Sequence, residues 1–365
     1  MPTKNRQRVR YSPIGVDIGT RSINVIQLAV SSKGIYVHEA DIVMLPQEKS
    51  QDADMVNALS DIMKRNNFKG KEVVSRMPPS LVTIIPIKIS QRENETEEGA
   101  ILRESKEYIP YPVDEAVIDF LPIGSVGEEG DKAKKILLIF TKRSDVINHL
   151  EMLKNVGLKV TAVDIGPNAI NRAIKRFKEP QEKHILVINI GDVNSFSTIL
   201  WDDMILIDRK MGWGENDIIE KLVSNLDIDI DEARKVLYRH GIDWSSAPRV
   251  TVDESTWTIP DNDIPSNIYE IIAPALGGLN KEVEKILIYC TSEMKGAMID
   301  SIYLMGRGGF LKHLGMYLQK TLGIGVKSFE PGTIFNRNRP AKEVVRDNFP
   351  IFITSIGLAL RGCDA

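Results

Sequence analysis

Short apolar runs that end in glycine recur at three widely separated places in the chain. They span Ile14–Thr20, Ile185–Asp192 and Ile302–Gly309. Each run has the length and the β-branched composition of a buried strand. Glycine lets the backbone turn sharply after the strand and bring its N–H groups against an anion. The pattern predicts three strands with anion-binding loops, placed in two related halves with a cleft between them.

In the first half, the hydrophobic pattern predicts a sheet with an inserted α+β subdomain. Pro86 places its strand at a sheet edge or a bulge, because proline cannot donate a hydrogen bond to a neighbouring strand. Pro110 ends an acidic helix. The insertion is expected over about residues 91–158. Strands are predicted over 14–45 (three of them), 73–75, 81–89, 116–123, 135–141 and 159–164, and helices over 52–65, 94–108, 144–155 and 167–177.

The second half repeats the pattern of strands and then becomes mainly helical. Residues 216–285 are expected to form a mainly helical insertion around a polar loop, 243–263. The predicted domains are a disordered basic tail over 1–12, a first domain over 13–180 and a second over 181–365. Strands are predicted over 184–189, 196–201 and 204–211, and helices over 231–241, 265–291 and 311–322, the last opened by the third glycine loop.

Composition narrows the function classes. A chain of 365 residues exceeds what one hydrophobic core usually organises. The net charge of -3, with basic residues clustered only in the tail, argues against nucleic acid as the main partner. Two cysteines are too few for a disulfide framework, and the five histidines lack metal-ligand spacing. The longest apolar run, 351–360, is too short to span a bilayer, so a cytoplasmic protein is expected.

Several segments together carry a resemblance to a known family. Asp17–Thr20, the second loop, Gly306–Gly309 and Ser355–Leu360 resemble the actin-like ATPases. Glu104–Glu115, followed by a strand with Asp-Phe at its centre, more closely resembles the PilM family of type IV pilus assembly, of the FtsA-like branch. The resemblance covers nearly the whole chain. It implies an actin-like two-domain α/β fold, with an α+β (SHS2-like) insertion in the first domain and a nucleotide cleft between the domains.

The resemblance also implies ATP or ADP with Mg²⁺ as the ligand of the loops. Asp17 would bind a metal-bound water, and the N–H groups of the first loop would wrap the β-phosphate. The second loop would approach the γ-phosphate, and the third would receive the adenosine at a helix N-terminus. The alternative is that each glycine only makes a tight turn. The predicted nucleotide residues are Asp17, Gly19, Thr20, Arg21, Ser22, Asn24, Asn189, Gly191, Asp192, Asn194, Ser195, Gly306, Gly308, Gly309, Ser355 and Gly357.

Two positions depart from the pattern of the resembled family. Asn24 stands where that family usually has a lysine, and Asn189 where it usually has an aspartate. An amide supplies neither the cation for the phosphates nor the carboxylate that positions Mg²⁺ and the attacking water. Arg21 and Asp192 could compensate in part, and Asn189 could simply accept a hydrogen bond within its loop. Slow or absent hydrolysis is therefore expected even where nucleotide binds.

The resemblance further implies a scaffold at the inner face of the inner membrane, attached through partners. Its main partner would be the short cytoplasmic tail of a PilN-like bitopic membrane protein, bound between the first domain and its insertion. The resemblance also implies other inner-membrane and motor components of the pilus as partners, and it is compatible with a homo-oligomer. The alternative for the carboxylates of this segment is that they only keep the surface of the insertion solvated; these are Glu104, Glu107, Asp114 and Glu115. The residues predicted to bind the tail are Ile87, Ile89, Ile101, Glu104, Glu107 and Tyr108.

Two other functions share the fold. A cell-division protein of the FtsA kind would be expected to continue into an amphipathic membrane helix, whereas this sequence stops soon after Leu360. A carbohydrate kinase would need a carboxylate base at a substrate pocket, which the sequence does not clearly provide. The pilus scaffold is therefore the favoured interpretation.

Overall fold

The computed structural model describes residues 9–45, 52–123, 133–242, 264–294, 296–329, 342–361 and 363. The chain divides into two compact units. Unit 1 comprises residues 1–183, 198–208 and 330–365, and unit 2 comprises 184–197 and 209–329. The C-terminal segment thus belongs to unit 1, which corrects the prediction that all of 181–365 forms the second domain.

Strands and helices follow one another along both units. The strands are β1 (Arg10–Tyr11), β2 (Ile14–Ile18), β3 (Ser22–Ser31), β4 (Gly34–Met44), β5 (Glu72–Arg76), β6 (Thr83–Ser90), β7 (Ala116–Pro122), β8 (Ala133–Lys142), β9 (Lys159–Asp164), β10 (His184–Ile190), β11 (Ser195–Trp201), β12 (Met204–Met211), β13 (Ser301–Gly306) and β14 (Val326–Ser328). The helices are α1 (Asp52–Arg65), α2 (Glu97–Ser105), α3 (Arg143–Asn155), α4 (Gly166–Phe177), α5 (Glu215–Leu226), α6 (Ile230–His240), α7 (Ile264–Glu293), α8 (Leu314–Leu322), α9 (Glu343–Asp347) and α10 (Phe349–Leu360).

Unit 1 is built on a six-stranded sheet of order β1-β3-β2-β5-β9, with β4 also paired to β3. The β2, β3 and β4 meander is antiparallel, whereas β2, β5 and β9 are parallel. Apolar residues of β2 pack with α1 and α3 on one face, around Ile14, Val16 and Leu59. The tail prediction was wrong for its last residues: β1 pairs with β3, and Leu28 N donates to Ser12 Oγ at 2.9 Å.

The C-terminal helix α10 covers the opposite face of this sheet. Eleven of its twelve residues are buried, so it needs neighbours on every side. It packs against β2, β3 and α4. Glycines allow the close approach: a Cβ added at Gly15 would lie 2.8 Å from Ala359 N, and one at Gly357 would lie 2.9 Å from Ala169 Cα. This packing is the physical reason why the end of the chain returns to unit 1.

The insertion is a small subdomain with its own core. Its antiparallel sheet has the order β6-β8-β7, and α2 lies across one face. The sheet starts at Thr83 and ends at Lys142, earlier at both ends than the predicted 91–158, because α3 joins the main core instead. Pro86 lies on the edge strand β6, as predicted.

A second sheet has the order β12-β11-β10-β13-β14, and its parallel strands β10, β13 and β14 belong to unit 2. Helices α5, α6 and α7 pack together beside it, and Trp213 Nε1 donates to Ala275 O at 2.8 Å. The predicted polar loop 243–263 lies outside the described residues. The third glycine loop continues into a 3-10 turn, Arg307–Phe310, and helix α8 begins only at Leu314, which corrects the predicted helix start.

Candidate functional site

The first glycine loop is a tight turn between two antiparallel strands. Gly19 N donates to Ser22 O at 2.9 Å, which closes the turn. Arg21 O accepts from Leu45 N at 2.8 Å, so the residue after β4 is hydrogen-bonded to the loop and stabilises it. Thr20 at its tip is exposed, and Arg21 is half-buried. The predicted residues of this loop therefore lie together on one short turn.

Beside this loop, Asp17 is engaged by an arginine that the sequence analysis missed. Asp17 and Asn24 face each other across the β2 and β3 pair, and both are buried. Arg76, the last residue of β5, donates its Nε to Asp17 Oδ1, and the two charged side chains are only 9% and 6% exposed. Asn24 Oδ1 is buried without a hydrogen-bond partner among the described residues. The charge of Asp17 is therefore already compensated, which is at odds with the predicted metal-bound water.

A neutral histidine adjoins this ion pair. Ser75 Oγ donates to Val16 O at 3.0 Å, so the hydroxyl can only accept from His149 Nε2, 3.1 Å away. Burial lowers the pKa of His149 to about 4, and the charge of Arg76 acts in the same direction. His149 is therefore neutral at pH 7, and Arg76 is the cation of this group.

In unit 2, the second and third glycine loops lie next to each other. They follow β10 and β13, which are parallel neighbours with Ile190 opposite Gly306. Gly306 has a φ of +70°, and an added Cβ would overlap Asn189 Oδ1. Gly308 is buried against the Ile190 side chain, whereas Gly309 is half-buried. The two loops therefore lie next to each other at the carboxyl ends of two neighbouring strands.

The second loop is tied to the start of α5. Glu215 N donates to Gly191 O at 2.9 Å, and Ser195 N donates to Trp213 O at 2.8 Å. Ser195 is fully buried, and its Oγ makes no hydrogen bond within the described residues. Asn194 is half-buried. The loop is therefore fixed by backbone contacts at both of its ends.

A buried cluster of charges links the second and third loops. Arg307 Nε lies 3.6 Å from Asp192 Oδ1 and 3.4 Å from Glu215 Oε2. Arg234 Nε lies 3.5 Å from Glu215 Oε2, and its Nη2 lies 3.9 Å from Asp192 Oδ1. The Tyr238 hydroxyl donates to Glu215, and burial, together with the nearby Glu215 carboxylate, raises the pKa of Tyr238. Two carboxylates and two guanidiniums balance each other, so Asp192 is also engaged by arginines.

Of this cluster, only Asp192 could be picked out in the sequence. The members come from the second loop, the third loop, α5 and α6, and no spacing in the sequence connects them. The single available signal was Arg307, which interrupts the glycines of the third loop. A charged residue between glycines of a buried loop calls for a partner of opposite charge.

Two residues predicted for the nucleotide site have packing roles instead. Ser355 is fully buried in α10, and its Oγ donates to Phe352 O of the same helix at 2.9 Å. Gly357 faces the backbone of α4 at Ala169. The structure thus places Ser355 and Gly357 in the contact of α10 with its neighbours, which corrects their assignment to the nucleotide site.

Half of the predicted partner surface is interior. Ile87, Ile89 and Ile101 are at most 4% exposed and form the core of the insertion, so they cannot contact a partner directly. Glu104 is half-buried and pairs with a neighbouring arginine.

The outward-facing residues of the insertion lie along α2 and just after it. Glu107 and Tyr108 are exposed, and Tyr108 is 45% exposed. Leu102, which the sequence analysis did not single out, is 46% exposed. We call Leu102, Glu107 and Tyr108 the α2 surface. No helix in the described part of the chain has the length and apolar composition needed to cross a membrane.

Comparison with known proteins assigns these features to a family. A family model described as the type IV pilus assembly protein PilM matches residues 15–243. A solved structure described as the PilM–PilN type IV pilus biogenesis complex matches with a TM-score of 0.77 and 22% sequence identity, over 97% of this chain and 99% of that chain. The ethanolamine utilization protein EutJ from Carboxydothermus hydrogenoformans matches with a TM-score of 0.55 and 13% identity, over 96% of this chain and 89% of that chain. These two matches confirm the predicted actin-like α/β fold.

Proposed function

The chain belongs to the family of the type IV pilus assembly protein PilM, and from this premise we propose that it is a scaffold that binds the cytoplasmic tail of a PilN-like membrane protein. The family match is the observation that carries the proposal. Attachment to the inner face of the membrane would then come through this partner, since the tail is continuous with its own membrane helix.

We place the tail on the α2 surface of the insertion. Leu102 and Tyr108 expose apolar side-chain area to solvent, and a bound partner would remove that area from water. Glu107, next to Tyr108 in the chain, adds an exposed carboxylate. One or two apolar anchors with a flanking charge pair are what decides the affinity of a short extended peptide. The insertion has its own core, so it offers this surface as a rigid body.

The second part of the proposal is that the protein binds an adenine nucleotide at its glycine loops without hydrolysing it efficiently. Clustered backbone N–H groups after strands favour an anion. Asn24 and Asn189 provide no charge for the phosphates or for an attacking water. The nucleotide would then stabilise the fold and tune the partner surface rather than drive chemistry.

Tail binding can be tested with a synthetic peptide of the N-terminal cytoplasmic segment of a PilN-like protein. Leu102→Glu combined with Tyr108→Glu is expected to weaken peptide binding at least tenfold, because both apolar anchors are replaced by charge. Met316→Glu is the matched control, since Met316 is an exposed apolar residue on a helix of unit 2. Equal binding by the double variant would move the docking surface elsewhere, and no binding by the parent protein would contradict the scaffold itself.

A further inference from the structure

The first ten residues of the chain concentrate positive charge that the proposed function does not use. Four basic residues alternate there with uncharged ones: Lys4, Arg6, Arg8 and Arg10. The first acidic residue of the sequence is Asp17, and it is buried. Because the whole chain has a formal net charge of -3, the rest of the molecule is more negative than this segment is positive. The N-terminal segment is therefore the part of the protein that an anionic surface attracts.

The fold fixes the end of this segment on the surface of unit 1. Arg10 and Tyr11 form strand β1, in which Arg10 lies opposite Val30 of β3. Arg10 Nη2 also donates to Cys363 O at 3.5 Å. Arg10 and Tyr11 are both exposed, Tyr11 by 40%. The last cation of the segment is therefore held in place with its charge at the surface.

An aromatic ring and a further cation lie next to β1. The Tyr11 ring packs on the His38 ring, with 4.5 Å between the ring centroids. His38 Nε2 lies 3.1 Å from Asn67 O, and the exposed Lys69 donates its Nζ to Asn67 Oδ1 at 2.9 Å. Tyrosine, with an apolar ring and a polar hydroxyl, suits the level of the lipid headgroups at a membrane surface. We call the following set the basic surface: Lys4, Arg6, Arg8, Arg10, Tyr11 and Lys69.

We propose that the basic surface binds anionic lipid headgroups directly, in addition to any attachment through the PilN-like tail. Clusters of four or more Lys and Arg residues are attracted to anionic bilayers, and each cation close to the membrane raises the partition coefficient about fivefold. The aromatic ring beside the cations adds contact at the level of the headgroups. None of the basic residues belongs to the α2 surface, so this contact does not depend on where the tail binds.

Lipid is favoured over nucleic acid, the other large polyanion of a cell. The concentration of cations is confined to a short segment and the rest of the chain is net negative, whereas a nucleic-acid-binding domain is basic over a broad face. A few cations bind a bilayer weakly, and stable attachment takes two signals. The tail of the proposed membrane partner would supply the second signal, since two contacts of one molecule with one membrane reinforce each other.

The test is co-sedimentation of the purified full-length protein with vesicles. One vesicle preparation is phosphatidylcholine alone, and the other contains about 30% phosphatidylglycerol, an anionic lipid. The variant replaces three of the basic residues by glutamine: Lys4, Arg6 and Arg8. The matched control removes the same charge from three exposed lysines on helices of unit 2, also by glutamine: Lys221, Lys235 and Lys281. The melting temperature of each variant shows whether it is folded.

The parent protein and the control are expected to bind the anionic vesicles but not the neutral ones. This binding is expected to fall at least about tenfold as the salt concentration rises from about 0.1 M to about 0.5 M, because salt screens the charges. The N-terminal variant is expected to have a partition coefficient on anionic vesicles at least about tenfold below that of the parent.

Three results would overturn the inference. They are absence of binding by the parent to anionic vesicles, equally strong binding to neutral vesicles, and binding by the N-terminal variant as strong as that of the parent. Tighter binding of the parent to a short DNA duplex than to anionic vesicles would assign the basic surface to nucleic acid and would also overturn it. None of these results bears on the peptide titration of the α2 surface, because that titration contains no lipid.

Discussion

Replacing His149 by glutamine is expected to remove a pH dependence from the stability of unit 1. Burial lowers the pKa of His149 from 6.5 to about 4, and the positive Arg76 adds to the effect. Between these two values the unfolded chain takes up a proton that the folded chain does not. The folded state therefore loses stability as the pH falls from 6.5 toward 4, and it has its full stability above 6.5.

The size of this loss follows from the two pKa values of His149. Their separation corresponds to roughly 3 kcal/mol of unfolding free energy below pH 4. About 2 kcal/mol of it is lost between pH 7.5 and pH 5. Asp208 acts in the opposite direction, because burial raises its pKa to about 6 and the folded state then binds a proton more readily than the unfolded chain. The parent protein alone therefore shows only a partly cancelled pH dependence.

The assay is a pair of urea titrations, of the parent and of His149→Gln, at steps from pH 7.5 to pH 5. Glutamine keeps a donor for Ser75 Oγ but cannot take up the proton. The stability of the variant relative to the parent is expected to improve by about 2 kcal/mol over this range, since Asp208 contributes equally to both proteins. A difference that stays constant with pH would refute the reasoning, as would an NMR signal of His149 that titrates near pH 6.5.

Three further experiments test the packing, the chemistry and the buried charges. Gly357→Ala forces a methyl group against α4 and is expected to lower the unfolding free energy by about 1–3 kcal/mol. Gly277→Ala in α7, where a Cβ meets nothing within 4 Å, is expected to raise the unfolding free energy by about 0.5–1 kcal/mol. Equal effects of the two substitutions in urea titrations would contradict the close contact of α10 with α4. Asn24→Lys combined with Asn189→Asp is expected to raise the rate of phosphate release from ATP at least about tenfold. A parent protein that releases phosphate as fast as the double variant would show that Asn24 and Asn189 do not limit hydrolysis. Arg234→Met leaves two buried carboxylates with one guanidinium and is expected to cost about 3–5 kcal/mol in urea titrations; a loss below about 1 kcal/mol would mean that the cluster is hydrated.

The strands and the glycine loops could be predicted because their signals are local. An apolar run that ends in glycine fixes a strand and its turn within a few residues, as at Gly19 and Gly306. Helix α1 was predicted with its observed bounds, Asp52–Arg65, because its apolar face and its polar ends are both in the sequence. The nucleotide role of these loops stays a prediction.

The ion pairs could not be predicted, because they depend on which strands become neighbours. Asp17 and Arg76 are 59 residues apart and meet only because β2 and β5 are parallel neighbours. The apolar residues of α10 indicated burial but not which surface would cover them. The partner surface was misassigned for a similar reason: alternation along β6 shows that Ile87 and Ile89 share a face, and that face is the core of the insertion.

The central claim, that this actin-like protein is a scaffold for a PilN-like tail, is tested most directly by calorimetry. The titration uses the purified full-length protein and a synthetic peptide of the N-terminal cytoplasmic segment of the PilN-like protein from the same genome. We expect saturable binding of one peptide per chain, lost when Leu102 and Tyr108 are both replaced by glutamate and kept in Met316→Glu. Absence of any binding heat with the parent protein, at peptide concentrations up to the millimolar range, would contradict the central claim.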